Sequence, residues 1–111
     1  NNNPQYRSEI NKIIGESYFN LKQYTKAIPY LEAYKGKNGA YTDTDLYYLG
    51  FAYYQQGDYQ KAIGQFNRII NGKNQVAQNA YYHLAQCYLK TGQKQQALNA
   101  FRNAYQMNFS S

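Results

Sequence analysis

One residue pattern recurs three times in this chain at a fixed interval of 35 positions, and it constrains the fold more than any single residue does. Small residues recur in step with large apolar ones. The matched columns are Ala27, Ala62 and Ala97; Gly15, Gly50 and Ala85; Ile14, Leu49 and Leu84; Tyr18, Tyr53 and Tyr88; and Leu31, Phe66 and Phe101. A period of about 20 to 50 residues indicates a stacked array in which each unit buries its apolar face against the next. Such arrays present binding surfaces more often than active sites.

The alternation of small and bulky columns indicates closely packed helices. Glycine or alanine at a fixed place lets two helix axes approach, because a larger side chain there would overpack the interface by about 1 to 3 kcal/mol. We expect Phe66 and Phe101 to fill the space between helices, so that truncating either to alanine costs about 3 to 5 kcal/mol.

Each 35-residue unit divides into two helical segments. In the middle unit, one apolar stripe ends before Gly57, the left-handed residue expected just past a helix. A second stripe follows the capping residue Asp58 and runs to Ile70, where Asn71 and Gly72 end it. Three such units predict an all-α fold of six helices.

Two of the helix starts have recognisable capping residues. Asn3 precedes Pro4, which is an N-cap followed by proline at the first helical position. Thr42 offers a hydroxyl cap to the middle unit, and Asp43 and Asp45 place carboxylates at the positive end of the helix dipole.

Length and composition fit a single globular domain over residues 1–111, with units of about 8–42, 43–77 and 78–111. No apolar run approaches the roughly 20 residues that span a bilayer, so no membrane insertion is expected. The net charge of +6 is spread along the chain, which favours a solvated surface over a dedicated site for an anionic partner.

Catalytic and metal-binding patterns are missing from the sequence. His83 is the only histidine and Cys87 the only cysteine, and we expect Cys87 to be an inert buried side chain. The sequence contains no nucleophile elbow, phosphate loop or dinucleotide glycine pattern. We therefore predict a non-enzyme without cofactor or metal.

The repeated columns resemble the tetratricopeptide repeat, a helix-turn-helix unit. The matching residues are Ile14-Gly15, Tyr18, Tyr24, Ala27-Ile28 and Leu31; Leu49-Gly50, Tyr53, Gly57-Asp58-Tyr59, Ala62 and Phe66; and Leu84-Ala85, Tyr88, Gly92, Ala97, Phe101 and Ala104. The chain departs from the family in its period of 35 rather than 34 and in lacking the proline between repeats; Lys94 also replaces the aromatic residue found at Tyr24 and Tyr59. The resemblance implies a right-handed α-solenoid.

The resemblance also implies that the first helix of each unit lines a concave surface that binds a partner protein or peptide. The positions left over after core assignment are rich in aromatic side chains, which are enriched at binding hot spots. The candidate partner-binding residues are Lys12, Phe19, Asn20, Tyr47, Tyr48, Phe51, Tyr54, Gln55, Asn79, Tyr82, His83, Gln86 and Lys90. The carboxylate clamp of chaperone-binding members is not expected, because Glu16 would repel a carboxylate there.

Two other functions remain open at this stage. Pentatricopeptide repeats, which bind single-stranded RNA, also have a 35-residue period, but their late methionine and Gly-x-x-Pro-Asp ending are not matched here. Alternatively, the array is a spacer or self-association segment of a longer repeat chain, because its last helix lacks a polar capping helix. Its uncovered apolar residues would be Leu98, Tyr105, Met107 and Phe109. The abundance of Asn, Gln and Tyr resembles repeat segments of bacterial envelope proteins.

Overall fold

The computed structural model describes residues 3–107, which form six helices and no β-strand. The helices are α1 (Pro4–Asn20), α2 (Tyr24–Ala33), α3 (Asp43–Gln56), α4 (Tyr59–Phe66), α5 (Gln75–Lys90) and α6 (Lys94–Gln106). The prediction of an all-α fold built from three helix-turn-helix units is confirmed. Within the described residues, no helix is both long enough and apolar enough to cross a bilayer.

The helices pair as hairpins that stack along one axis. Helix α1 packs on α2, α3 on α4 and α5 on α6, and each hairpin contacts the next through α2 with α3 and α4 with α5. The first helices of the units also touch, since α3 contacts both α1 and α5. The stack measures 49 × 26 × 24 Å, so it exposes a long lateral surface for its size.

The small-residue columns lie where helices approach most closely. A Cβ atom added to Gly50 would lie 2.8 Å from Cε1 of Phe66, and one added to Gly15 would lie 2.8 Å from Cδ2 of Leu31. In the alanine column, Ala27 and Ala62 are fully buried and Ala97 is almost so. The expected steric role of these columns is therefore confirmed.

Phe66 and Phe101 share one column of the repeat but differ in burial, which corrects the expectation from the sequence. Phe66 is fully buried, whereas Phe101 is only partly buried because no further hairpin covers α6 within the described residues. Truncation of Phe101 should therefore cost less than truncation of Phe66.

The predicted caps are present. The side chain of Asn3 accepts hydrogen bonds from the backbone N–H groups of Gln5 and Tyr6. Thr42 and Asp45 form a reciprocal capping box, in which the Thr42 hydroxyl accepts from the Asp45 N–H at 3.0 Å and the Asp45 carboxylate accepts from the Thr42 N–H at 2.9 Å. The Asn3 cap thus fixes the start of α1, and the Thr42–Asp45 capping box fixes the start of α3.

The turn inside each hairpin uses one residue in the left-handed conformation. Gly57 and Gly92 occupy this place with φ of 90° and 77°. In the first unit the equivalent residue is Lys22, with φ of 62°. A side chain in this region is disfavoured, so the first turn carries a local strain that the other two avoid.

Helix α4 is shorter than the apolar stripe that predicted it. The helix ends at Phe66, and the backbone continues in tight turns in which Ile69 donates to the carbonyl of Phe66 and Gly72 donates to that of Ile69. Ile69 nevertheless remains buried. The stripe therefore predicted burial correctly and helix length incorrectly.

The outer face of α6 is open. Leu98 is half exposed and Tyr105 is 93% exposed, as expected for an uncovered end. Met107 instead packs against the core, which corrects the expectation that it would be uncovered. Phe109 lies outside the described residues.

Candidate functional site

A continuous strip of rings crosses the three first helices. Phe19 of α1 lies 5.7 Å from Phe51 of α3, measured between ring centroids, and Phe51 lies 5.0 Å from His83 of α5. Tyr82, beside His83, is 47% exposed. We call this set the ring strip; it consists of Phe19, Tyr47, Tyr48, Phe51, Tyr54, Tyr82 and His83.

Helical spacing places the α3 rings on the same side. Tyr47, Phe51 and Tyr54 are separated by four and three residues, so they lie on one face of the helix. Tyr48 turns toward the first unit and stacks on Phe19 at 4.4 Å. Apart from the more exposed Tyr82, the rings of the strip are half buried, which means that each retains surface that can meet a ligand.

The strip also rests on rings that the sequence analysis assigned only to repeat packing. Tyr24 at the start of α2 lies 5.7 Å from Phe51, and Tyr59 at the start of α4 lies 5.9 Å from Tyr54. These tyrosines occupy the same column of the repeat, which is the signal that could have placed them beneath the strip. They hold Phe51 and Tyr54 in position and so pre-organise the surface.

His83 lies in the most apolar part of the strip. Its ring is within about 6 Å of the rings of Phe51, Tyr54 and Phe66, and its buried Nδ1 atom has no hydrogen-bond partner among the described residues. Burial lowers the pKa of His83, so the neutral ring is favoured. Burial also raises the pKa of the Tyr47 phenol to about 12.

Two of the predicted polar ligands already have partners within the chain. The ammonium group of Lys12 lies 3.1 Å from the carboxylate of Asp45 and 5.1 Å from the centre of the Tyr34 ring. Gln86 accepts a hydrogen bond from the Tyr54 hydroxyl. These contacts join neighbouring units, which gives Lys12 and Gln86 a structural role.

The remaining predicted polar residues flank the strip and are exposed. Asn20 and Gln55 lie at the ends of α1 and α3, Asn79 lies on α5, and Lys90 ends α5. Asn79 accepts one long hydrogen bond, 3.5 Å from the Gln75 amide, which leaves its own N–H groups for a ligand. The side chains of Asn20, Gln55 and Lys90 are exposed beside the rings.

Three hollows border residues of the strip or of its polar flanks. One of about 320 Å³ lies between the first two units and is lined in part by Lys12 and Tyr48. Another of about 660 Å³ lies between α5 and α6 beside Asn79 and Tyr82, and a third of about 440 Å³ lies at the first turn beside Gln55. Each hollow therefore includes at least one of the candidate partner-binding residues.

The described residues offer neither a reactive cysteine nor a cluster of metal ligands. Cys87 is fully buried, and burial raises the pKa of its thiol to about 12, so the nucleophilic thiolate is strongly disfavoured. Within residues 3–107, no three His, Cys, Asp or Glu side chains come together as a metal site.

Comparison with known proteins places the repeat in a family. Residues 37–104, more than half of the chain, match the family model described as anaphase-promoting complex, cyclosome, subunit 3, whose repeats are of the tetratricopeptide type. Residues 13–35 match the model described as tetratricopeptide repeat. None of the curated proteins matches the sequence.

Solved structures share the fold. A point mutant of MamA superposes with a TM-score of 0.80 at 21% identity, over 93% of this chain and 74% of the other. MamA AMB-1 superposes with a TM-score of 0.80 at 19% identity, over 94% of this chain and 56% of the other. This chain thus spans little more than half of the second protein, and at these identities the likeness shows the fold alone.

Tetratricopeptide repeats generally serve as protein–protein interaction modules and are typically non-catalytic scaffolds. The three helix pairs, their 35-residue register and the two family matches together show that this chain belongs to the tetratricopeptide-repeat family.

Proposed function

We propose that the chain binds a segment of a partner polypeptide across the ring strip. The observation that supports this proposal is the continuity of half-buried rings over α1, α3 and α5, from Phe19 through Phe51 to Tyr82. A helix face that only stabilised the fold would not need a broad, partly exposed aromatic surface on all three units.

The chemistry of the strip fits a peptide ligand. Tyrosine and phenylalanine rings offer large contact areas at low conformational cost, and tyrosine adds a polar tip. The flanking amides of Asn20, Gln55 and Asn79 are exposed and can bond to the backbone of a bound peptide. Lys12 and Gln86 can contribute only if they give up their present partners.

The test uses two exposed tyrosines in different places. Random short peptides are displayed and selected against the purified protein, and the affinity of a selected peptide is then measured for Tyr82→Ala and for Tyr6→Ala. Tyr6 is the control, because it is 55% exposed near the start of α1 and lines none of the hollows beside the strip. We expect Tyr82→Ala to weaken binding about tenfold or more and Tyr6→Ala to leave it unchanged.

One further variant examines the centre of the strip. Phe51→Leu keeps an apolar side chain beneath the surface but removes the ring, and circular dichroism reports whether the helices persist. Weaker binding with retained helicity supports the proposal. Wild-type affinity in both Tyr82→Ala and Phe51→Leu would show that the ligand lies elsewhere.

Self-association through α6 is a second candidate, favoured by the exposure of Leu98 and Tyr105 beside the hollow of about 660 Å³. Light scattering over a range of protein concentrations tests it. A dimer that Leu98→Glu dissociates would support it, and a concentration-independent monomer would exclude it.

A further inference from the structure

The turns within the three hairpins lie along the same edge of the solenoid. Each helix reverses direction relative to the one before it, so α1, α3 and α5 run parallel and end at the same side. Contacts between units confirm the register: Tyr24, just after the first turn, meets Phe51 near the end of α3. Tyr54 on the same part of α3 bonds to Gln86 near the end of α5. The turns at residues 21–23, 57–58 and 91–93 therefore follow one another along one edge.

This edge concentrates positive charge that is dispersed along the sequence. We call it the basic edge; its lysines are Lys22, Lys26, Lys61, Lys90 and Lys94. Asp58 is the only carboxylate residue in the turns and the adjoining helix ends. The other five Asp and Glu residues lie in the bodies of the helices or toward the opposite edge.

Four of these lysines are unengaged within the described part of the chain. Lys61 lies 4.0 Å from the Asp58 carboxylate and above the ring of Tyr53. No carboxylate of residues 3–107 lies within ion-pair distance of Lys22, Lys26, Lys90 or Lys94, and all four are exposed. The basic edge thus offers four free ammonium groups.

The basic edge is continuous with the ring strip. The hollow of about 440 Å³ at the first turn is lined by Lys22, Tyr24, Lys26 and Gln55, among others. Tyr24 is also one of the rings that support Phe51. A single ligand can therefore contact the aromatic face and the lysines together.

We propose, resting on the function proposed above, that the partner polypeptide is acidic: its apolar side chains lie on the ring strip and its Asp and Glu side chains meet the basic edge. Complementary charge of this kind speeds association and fixes the orientation of a ligand. A polypeptide is favoured over a nucleic acid because the free charges number at most two per unit, with none in the middle unit, and none is an arginine, whereas phosphate backbones bind to denser basic surfaces.

The experiment compares two variants of equal net charge. One replaces Lys22, Lys26, Lys90 and Lys94 with Gln; the other replaces Arg7, Lys35, Lys37 and Lys73 with Gln, all of which are exposed and lie away from the basic edge. The probes are peptides selected from a random library by the wild-type protein, and the measurement is their affinity by fluorescence anisotropy. Tyr82→Ala is measured in parallel.

We expect the selected peptides to be enriched in Asp and Glu relative to the library. We also expect the first variant to bind them about tenfold more weakly and the second to bind within a factor of about two of the wild type, with rising salt removing the difference. Neutral or basic selected peptides, or an equal loss in both variants, would overturn the inference.

The two proposals fail in different ways. Peptides that depend on Tyr82 but not on the lysines would preserve the ring strip as the site and remove the acidic partner. Peptides that depend on the lysines but not on Tyr82 would preserve the acidic partner and remove the ring strip as its binding site. A short single-stranded oligonucleotide that binds more tightly than every selected peptide would replace the acidic polypeptide with a nucleic acid.

Discussion

Gly50 and Phe66 determine how closely one hairpin packs, because the ring of Phe66 occupies the space that a side chain at position 50 would need. Replacing Phe66 with Ala should lower the free energy of unfolding by about 3 to 5 kcal/mol, since it leaves a cavity in a fully buried place. Phe101→Ala is the matched control and should cost clearly less. Urea unfolding of both variants measures this, and equal losses would contradict the assigned difference in burial.

His83 should make stability depend on pH. Its pKa in the folded chain is below the ordinary value of about 6.5, because burial among rings disfavours the imidazolium ion. Above about pH 6.5, His83 is neutral in both the folded and the unfolded chain, so its protonation does not change the free energy of unfolding. As the pH falls below about 6.5 toward the folded pKa, the unfolded chain takes up the proton first and stability is lost.

The variant His83→Phe isolates this effect. Chemical unfolding of both proteins between about pH 7.5 and pH 5.5 should show a smaller loss of stability in the variant. Burial raises the pKa of Glu16, which opposes the histidine effect at lower pH but acts equally in both proteins. Parallel pH profiles would show that His83 is not buried as described.

At the scale of elements, the turn of the first hairpin is the strained one. Lys22→Gly should raise the free energy of unfolding by about 0.5 to 1 kcal/mol, because glycine tolerates the positive φ that lysine must adopt there. Gly57→Ala should have the opposite effect, and since no atom lies within 4 Å of the added Cβ, its cost would be conformational alone. Thermal unfolding of both variants measures these changes in stability. If Lys22→Gly destabilised the protein, the backbone at Lys22 would not be strained.

The sequence predicted the number and the pairing of the helices because side-chain burial repeats with the helical period. It predicted the end of α4 poorly, since tight turns after Phe66 keep Ile69 on the same buried side as a helix would. Periodicity reports which side chains face the core and does not report which backbone bonds form. Capping residues gave better boundaries, because the Asn3 and Thr42 side chains bond to specific backbone groups.

The candidate site was predictable only in part. The rings of α3 follow from spacing within one helix, whereas the pairing of Lys12 with Asp45 and of Tyr54 with Gln86 depends on how neighbouring units stack. The basic edge was missed for the same reason. Charges compared along the sequence are scattered, and only their position within each repeat brings them to the same side.

At the scale of the whole molecule, a solenoid of three units leaves its lateral surface available because only neighbouring units cover one another. The middle unit supplies most of the ring strip, and the outer units add Phe19 on one side and Tyr82 with His83 on the other. A ligand on this surface would bridge all three units. Binding should therefore also raise the unfolding temperature.

The position of a bound peptide is the most direct test of this account. A selected peptide carrying a nitroxide spin label at its centre should broaden the aromatic proton NMR signals of Phe51, Tyr54 and Tyr82, and leave those of Tyr6, near the opposite end of α1, sharp. Broadening at Tyr105 while the signals of Phe51 and Tyr54 stay sharp would place the ligand on α6 and contradict the claim that the ring strip is the binding surface.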